Sequence, residues 1–479
     1  MSDLNSWSRE EPARQFDLHD VEDVTELHRT YAGLQPRLLG NLLLLSNNAG
    51  ARTVVVEYRY IDADYRSEHT SFYSTTYTRY PSVAHRFHFF AGLLPDDALD
   101  AGRPSSFDDE SYLGYSVMRP VETSPVGRTL LRPPSNLRPN VTCVARDDVN
   151  LYGSDLSVLG APFMGQDSQL SVCVHVAAWT CAYYHHLRFS DSPRRVVADI
   201  SRLAPLENSR LVPSAGLTVR QLAKMLDAVE LPPVVYDLGQ LPPKESMPQI
   251  ACRYLDSGLP VIVAAERHAF VLVGYRWVRD EGRRRIQFIR QDDLCGGYEL
   301  VENFNLDQYR PWKHLVVPLP AKVYMSGEGA EKLGARMIES MLSKSSHPLC
   351  AQILADLRSD ENVLGYRTSV HRSNELKNGL PGRRSEMVAG IFQWHWMSRW
   401  VWVVELVDER RWFENEPSVV AEVLIDATGH ANGRKLLAWR LPGEVGRTVP
   451  DSDEDKSFDV NEADHQPSVV QTKTDVLDI

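Results

Sequence analysis

The 479-residue sequence lacks the features that mark membrane, secreted or nucleic-acid-binding proteins. Its longest apolar run, from Leu38 to Leu45, is much shorter than the roughly 20 residues that a membrane-spanning helix needs. The first residues, Met1 to Ser6, contain no basic stretch followed by an apolar core, which argues against a secretory signal peptide. A formal net charge of -12 disfavours nucleic acid and anionic membrane surfaces as partners. We therefore expect a cytoplasmic protein with no nucleic-acid partner and no membrane insertion.

Cysteine is scarce, and its spacing argues against a disulfide framework and against a zinc site. The six cysteines are scattered and form no CxxC pair: Cys143, Cys173, Cys181, Cys252, Cys295 and Cys350. We expect reduced thiols, as in a cytoplasm. Cys181 and His185 stand four residues apart on a predicted helix, but no CxxC or HExxH motif supplies the remaining zinc ligands. We interpret His175, His185 and His186 as core or surface histidines and expect no metal.

Cys173 occupies the boundary between a polar loop and a predicted helix. The segment from Gly160 to Leu187 begins as a loop that includes Gln166 and becomes apolar from about Val172. A thiol at a helix N-terminus meets the positive end of the helix dipole and unpaired N–H groups, which favour the thiolate. Gln166 can stabilise an oxyanion beside such a sulfur with its side-chain amide. The alternative is that Cys173 is a small core hydrophobe, the commonest role of a free cysteine.

A histidine lies between two predicted strands further along the chain. The apolar runs Leu259 to Ala265 and Ala269 to Tyr275 each predict a buried strand, and His268 precedes the second run. A histidine that leads a strand can present its imidazole at the edge of the sheet, facing the N-terminus of a helix. A buried histidine with a purely structural role is the alternative interpretation.

Two adjacent aspartates follow the next predicted strand, Arg285 to Ile289. A carboxylate at this position can accept a hydrogen bond from the far nitrogen of an imidazole and fix its tautomer. Because neighbouring residues on a strand point to opposite faces, we expect only one of Asp292 and Asp293 to meet His268. We expect the other aspartate to cap the following turn.

These pieces, in this order, resemble the papain-like cysteine peptidase superfamily. Within it they resemble the bacterial peptidases that cleave double-glycine leader peptides, the bacteriocin-processing type, and their uncharacterised relatives. The resemblance covers Asp155 to about Pro320 and is carried by the segment from Gln166 to Cys173, by His268 to Tyr275, and by Gln291-Asp292-Asp293 with Gly296-Gly297-Tyr298. The sequence departs from the family pattern at Val174, where glycine is common, and at Asp293, where proline is usual.

The resemblance implies a hydrolase that cleaves a peptide or isopeptide bond in a peptide or protein substrate. It assigns Cys173 as the nucleophile, His268 as its base, Asp292 as the orienting acid and Gln166 as an oxyanion donor. No metal or organic cofactor is implied. Two alternatives stay open: a catalytically inactive peptidase-like module for peptide binding or assembly, and a transglutaminase-like acyl transferase.

The whole chain predicts an α+β protein built from several domains, as its length suggests. Residues 1–150 form a predicted N-terminal α+β region without a legible role. Residues 151–322 form the papain-like core, in which the N-terminal helix that carries the cysteine packs on an antiparallel sheet. Residues 330–445 form a predicted C-terminal α+β module, and residues 446–479 a predicted acidic, disordered tail. A partner protein through the flanking domains is a further possibility.

Overall fold

The computed structural model describes residues 7, 11–31, 33–95, 97–99, 107–166, 173–189, 191–203, 217–241, 245–280, 283–302, 305, 307–359, 363–414, 416–429, 435–449, 455–459 and 476–478. The protein is a mixed α+β structure with antiparallel sheets, as the sequence predicts. It divides into two compact units. The first comprises Met1–Leu241, Pro260–Tyr275 and Gln287–Pro318, and the second comprises Pro242–Leu259, Arg276–Ile286 and Leu319–Ile479. No helix among the described residues is long and apolar enough to cross a membrane.

The first unit begins with a five-stranded antiparallel sheet and three helices. The strands follow chain order: β1 (Ala13–Asp17), β2 (Thr53–Tyr60), β3 (Ala84–Phe90), β4 (Tyr112–Met118) and β5 (Val126–Leu131). The helices are α1 (Val21–Thr30), α2 (Pro36–Asn48) and α3 (Ala63–Ser71). Strands β3, β4 and β5 are buried along their whole length, so this sheet forms part of the hydrophobic core of the unit.

A hairpin and three helices follow. Strands β6 (Ala145–Leu151) and β7 (Ser154–Gly160) pair antiparallel around Tyr152 and Gly153. Both turn residues have positive φ, 49° and 89°, the backbone that a two-residue hairpin of matching twist requires and that glycine adopts without strain. The helices are α4 (Cys173–Arg188), α5 (Val197–Leu203) and α6 (Val219–Ala228). Helix α6 starts with a capping box between Thr218 and Gln221.

A second sheet follows helix α6 and carries the predicted histidine and aspartates. Its strands are β8 (Pro233–Asp237), β9 (Val261–Ala265), β10 (Ala269–Asp280), β11 (Arg283–Asp292), β12 (Gly296–Val301) and β13 (Trp312–Pro318), in the spatial order β12-β11-β10-β9-β13-β8. The central strand β9, VIVAA, is almost wholly buried, which explains its continuous apolar run. The pairs β9–β10 and β11–β12 are antiparallel neighbours.

The second unit contains helix α7 (Met247–Asp256) and a six-stranded antiparallel sheet. The strands, in chain and spatial order, are β14 (Leu364–Arg372), β15 (Trp400–Asp408), β16 (Val419–Asp426), β17 (Leu436–Leu441), β18 (Glu444–Thr448) and β19 (Asp455–Asp459). The other helices are α8 (Gly327–Lys344), α9 (Pro348–Leu357), α10 (Ser373–Gly379), α11 (Glu386–Trp394) and α12 (Glu409–Phe413), and a short strand β20 (Val476–Asp478) pairs with β10.

The predicted tail differs from the structure in its first part. Strand β18 continues past residue 445, and β19 adds five exposed residues to the edge of the sheet. Backbone pairing with β18 orders β19, although its sequence, DKSFD, buries nothing and therefore gives no apolar signal. The rest of the predicted tail, apart from β20, lies outside the described residues.

Candidate functional site

Cys173 is the first residue of helix α4, as the sequence predicts. The next twelve residues, Val174 to His185, are all buried, whereas Cys173 itself is partly exposed. A helix of this kind needs support on every side. The N-terminal region supplies part of it: Trp179 donates to Asp64 of helix α3 at 2.9 Å, and Arg128 of strand β5 donates to the Tyr183 hydroxyl at 2.8 Å. The N-terminal region, whose role was not legible from sequence, therefore holds the helix that carries the cysteine.

His268 lies in the tight connection between β9 and β10. The connection is closed by a hydrogen bond from the Ala265 N–H to the His268 carbonyl at 2.9 Å, so the imidazole projects from the start of β10. The ring is buried and packs against Tyr309 with ring centroids 4.4 Å apart. Its Nε2 atom lies 3.0 Å from Asp292 Oδ1, and Cys173 is close enough to the imidazole to raise its pKa. Because Nε2 faces the carboxylate, Nδ1 is the ring nitrogen that remains for a second partner.

Asp292 is the last residue of strand β11 and is fully buried. Its Oδ1 atom accepts from His268 and also from the Leu294 N–H at 3.0 Å, so the carboxylate is fixed by its own turn. The Arg290 Nε atom lies 3.5 Å from Oδ2. Burial raises the pKa of Asp292, but the hydrogen bond and charge of His268, together with Arg290, outweigh it and leave the pKa below its ordinary value.

Asp293 also lies at the imidazole, which corrects the expectation that only one aspartate meets His268. Its Oδ1 atom is 3.5 Å from His268 Nε2. The alternation of side chains holds only within an extended strand, and β11 ends at Asp292, so Asp293 belongs to the turn that follows. The predicted turn cap is wrong for the same reason, because Asp292 and not Asp293 accepts from Leu294.

The Asp293 carboxyl is buried and has no hydrogen bond to either oxygen among the described residues. Burial, together with the charge of Asp292, raises its pKa to about 7, although the charge of His268 opposes that rise. For the pKa of His268, in contrast, the neighbouring groups outweigh burial. Burial lowers the pKa of His268, but the hydrogen bonds with Asp292 and Cys173 and the charges of both aspartates raise it to about 10. At neutral pH the imidazole is therefore held as an imidazolium.

A second set of residues surrounds this cluster and was not anticipated from the sequence. Arg290 donates to Glu299 at 2.8 Å and to Asp307 at 2.9 Å. Its guanidinium also lies over the Tyr309 ring, 4.8 Å from the centroid. Tyr309 and Asp307 belong to an irregular segment without a recognisable motif, so no sequence signal identifies them. Arg290 directly follows the predicted strand Arg285 to Ile289, and a basic residue beside two aspartates is a sequence signal for an ion pair.

Gln166, the predicted oxyanion donor, is partly buried, and no hydrogen bond joins its side chain to Cys173 or His268 among the described residues. The six residues that separate it from Cys173 lie outside the described ranges. Its neighbour Gly165 is anchored on both sides: the Gly165 N–H donates to Val126 at 3.0 Å, and its carbonyl accepts from the buried Arg119 at 2.9 Å. The backbone that leads into Gln166 is therefore fixed on strand β5.

A small pocket, with room for about one water molecule, lies beside the thiol. Cys173 and Asp293 both line it, and the Asp293 carboxyl is its acidic group. Gln291 also lines the pocket, but its side-chain amide is already engaged: its Nε2 donates to the Ala161 carbonyl, and its Oε1 accepts from the Tyr298 N–H. The remaining lining is mostly apolar and includes Phe163, Met164, Val176, Ala177 and Phe270.

The histidines weighed as zinc ligands lie elsewhere. His185 and Cys181 are buried in helix α4, and burial lowers the pKa of His185 to about 3, so its ring is neutral. Within the described ranges, two groups of side chains hold three donor atoms close enough for one ion, and neither includes these residues. The groups are His268 with Asp292 and Asp293, and Asp292 with Cys295 and Glu299.

Comparison with known proteins adds no relative to this description. No protein-family model matches the chain, and neither a curated protein nor a solved structure matches it.

Proposed function

We propose that the protein is a cysteine hydrolase with a papain-like core, which cleaves a peptide or isopeptide bond through Cys173, His268 and Asp292. One observation carries the proposal: a single imidazole lies between the thiol that starts helix α4 and a fully buried carboxylate. Nucleophile, base and orienting acid in hydrogen-bonding sequence are what thiol-based acyl transfer requires.

The proposed mechanism uses the two imidazole nitrogens separately. His268 Nδ1 takes the thiol proton of Cys173, and Asp292 at Nε2 stabilises the resulting imidazolium. The thiolate attacks the carbonyl carbon of the scissile amide. The imidazolium returns its proton to the leaving amine as the C–N bond breaks, which leaves a thioester on Cys173. Water, deprotonated by His268, then hydrolyses the thioester and restores the thiol.

The oxyanion that forms on the substrate carbonyl needs hydrogen-bond donors. The first N–H groups of a helix have no partner within the helix, so the backbone N–H of Cys173 is one donor. Gln166 is the proposed second donor, by its resemblance to the family. The anchoring of Gly165 by Arg119 supports this role, because a fixed loop can preorganise a donor.

The order of elements supports a papain-like core. The cysteine opens a buried helix, further helices follow, and an antiparallel sheet then presents the histidine before β10 and the acid at the end of β11. A cytoplasmic location and a peptide or protein substrate belong to the same proposal.

Thiol labelling tests the proposal directly. The full chain is treated with iodoacetamide or an epoxide-type probe near neutral pH, and the modified residue is identified by mass spectrometry. We expect selective labelling of Cys173, and loss of that selectivity in His268→Ala. Cys295 is the internal control, because it is also partly exposed but burial raises the pKa of its thiol. Equal labelling of Cys173 and Cys295 would contradict the nucleophile assignment.

Labelling and turnover separate the remaining alternatives. A reactive Cys173 that hydrolyses no member of a diverse peptide library, but transfers the acyl group to an added amine, indicates a transferase. An unreactive Cys173 in a chain that still binds peptides indicates a binding module.

A further inference from the structure

Two carboxyl groups meet one nitrogen of His268. Asp292 and Asp293 both lie at Nε2, 3.0 Å and 3.5 Å away, and both side chains are buried. Arg290 lies 3.5 Å from Asp292, but it already donates to two other carboxylates, Glu299 and Asp307. One imidazole nitrogen therefore faces two buried carboxyl groups, a set of donors that a cation can bridge.

Orphaned oxygen atoms point to the same conclusion. Neither oxygen of Asp293 has a hydrogen-bond partner among the described residues, although only 4% of this residue is exposed. Asp292 Oδ2 also has no hydrogen bond within the described part of the chain, although Arg290 Nε lies 3.5 Å away. Buried carboxylate oxygens are nearly always satisfied, so the unpartnered Asp293 oxygens, one of which lies 3.5 Å from His268 Nε2, point to a ligand.

The donor spacing fits a small metal ion. Zinc bonds to histidine nitrogen and carboxylate oxygen are about 2.0–2.2 Å long, and two donors of a tetrahedral ion with such bonds lie about 3.4 Å apart. The Nε2 atom and the two Oδ1 atoms are separated by 3.0 Å and 3.5 Å, and all three lie within 4.8 Å of one another. Asp293 also lines the pocket beside Cys173, which gives the ion an open side for a water ligand.

We propose that His268, Asp292 and Asp293 bind one divalent transition-metal ion of the zinc class. A nitrogen and two carboxylate oxygens are donors that zinc and its neighbours accept. A divalent ion with a neutral imidazole and two carboxylates also leaves the three-residue cluster with no net charge. The site shares His268 and Asp292 with the proposed function, but its test does not depend on that function.

Calorimetric titration of the full chain with Zn²⁺ tests the site. We expect one ion per chain in the unaltered protein and the same affinity in Cys173→Ala, because the thiol is not a ligand. Asp293→Asn should weaken binding by ~10-fold or more, since loss of even an indirect ligand contact costs that much. Cys295→Ser is the matched control: it removes the thiol of the other donor group, Asp292 with Cys295 and Glu299, and should bind normally.

Each opposite result overturns the site. Loss of binding in Cys173→Ala means that zinc sits between the thiol and the imidazole, and loss in Cys295→Ser means that it sits at the other donor group. Unchanged binding in Asp293→Asn, or no binding at all, means that the cluster is balanced by a proton. Should Asp293→Asn not fold, His268→Ala must abolish binding instead. Replacement by Co²⁺ adds a spectroscopic check, because cobalt–thiolate absorption must be absent.

Alkylation of Cys173 separates the metal site from the proposed function. If Cys173 is unreactive even without metal, the proposed function fails, while zinc binding to Cys173→Ala still decides the site.

Discussion

Replacement of each aspartate by asparagine distinguishes their roles at His268. Asp292 makes a hydrogen bond of 3.0 Å to the imidazole, whereas Asp293 lies at 3.5 Å without one. A hydrogen bond to a charged group contributes about 1.5–3 kcal/mol. Loss of that amount from the imidazolium should reduce the thiolate population, and hence the alkylation rate of Cys173, by roughly 10- to 100-fold in Asp292→Asn.

Asp293→Asn should change the rate much less at pH 6. Burial raises the pKa of Asp293 to about 7, so the carboxyl already carries a proton for most of the time at that pH, and asparagine resembles this neutral form. The assay is the second-order rate of iodoacetamide labelling of Cys173 at pH 6, measured with a chelator to keep the site free of metal. Glu299→Gln is the control, because Glu299 contacts Arg290 and not the imidazole.

Three results would contradict the roles assigned to the two aspartates. A drop in Asp293→Asn as large as that in Asp292→Asn would show that Asp293 is an ionised partner of the imidazole at pH 6. No drop in either variant would show that neither carboxylate supports the imidazolium, and the triad would then be wrong. A drop in Glu299→Gln would mean that Arg290, not a direct aspartate contact, controls the reactivity.

Three other predictions concern stability. Glu422 is buried between Arg384 and Arg440, and despite the cost of burial their charges lower its pKa to about 2. The ionised Glu422 therefore contributes on the order of 3 kcal/mol to the free energy of unfolding above its ordinary pKa of 4.5, and this contribution is lost as the pH falls to about 2. In Glu422→Gln, urea unfolding should show a weaker dependence of stability on pH over this range. Cys181→Ala should cost about 1 kcal/mol by the same measurement, because the side chain is fully buried, and leave Cys173 labelling unchanged; slower labelling would contradict its assignment to the core. A chain that ends at residue 449 loses the exposed strand β19 and the three-residue strand β20 that pairs with β10, and it should melt within about two degrees of the full chain. Removal of β18, with its buried Val445, should cost clearly more.

The elements that follow a simple apolar period were predictable from the sequence. Helix α4 begins at Cys173, where the polar loop gives way to an apolar run, and β9 and β10 occupy the two apolar runs on either side of His268. In each case local propensity and burial agree, so the sequence pattern alone is sufficient.

The parts that depend on distant contacts were not predictable. Strand β19 has an exposed, charged sequence and exists because β18 offers a free edge. The support of α4 by Asp64 and Arg128 joins residues more than fifty positions apart in sequence through buried polar contacts, which no periodicity reveals. Propensity measures what a segment prefers alone, and these features arise from what lies beside it.

The misassigned Asp293 shows how one backbone detail changes the chemistry of the site. Within a strand, Asp293 would point away from His268, and the imidazole would have a single carboxylate partner. The structure ends β11 one residue earlier, and the turn that follows brings the second carboxylate back to Nε2. A single partner fixes a tautomer, which is sufficient for a base. Two partners leave an excess of buried negative charge, which a proton or a metal ion must balance. The end of one strand therefore decides whether this histidine only serves the thiol or also responds to metal.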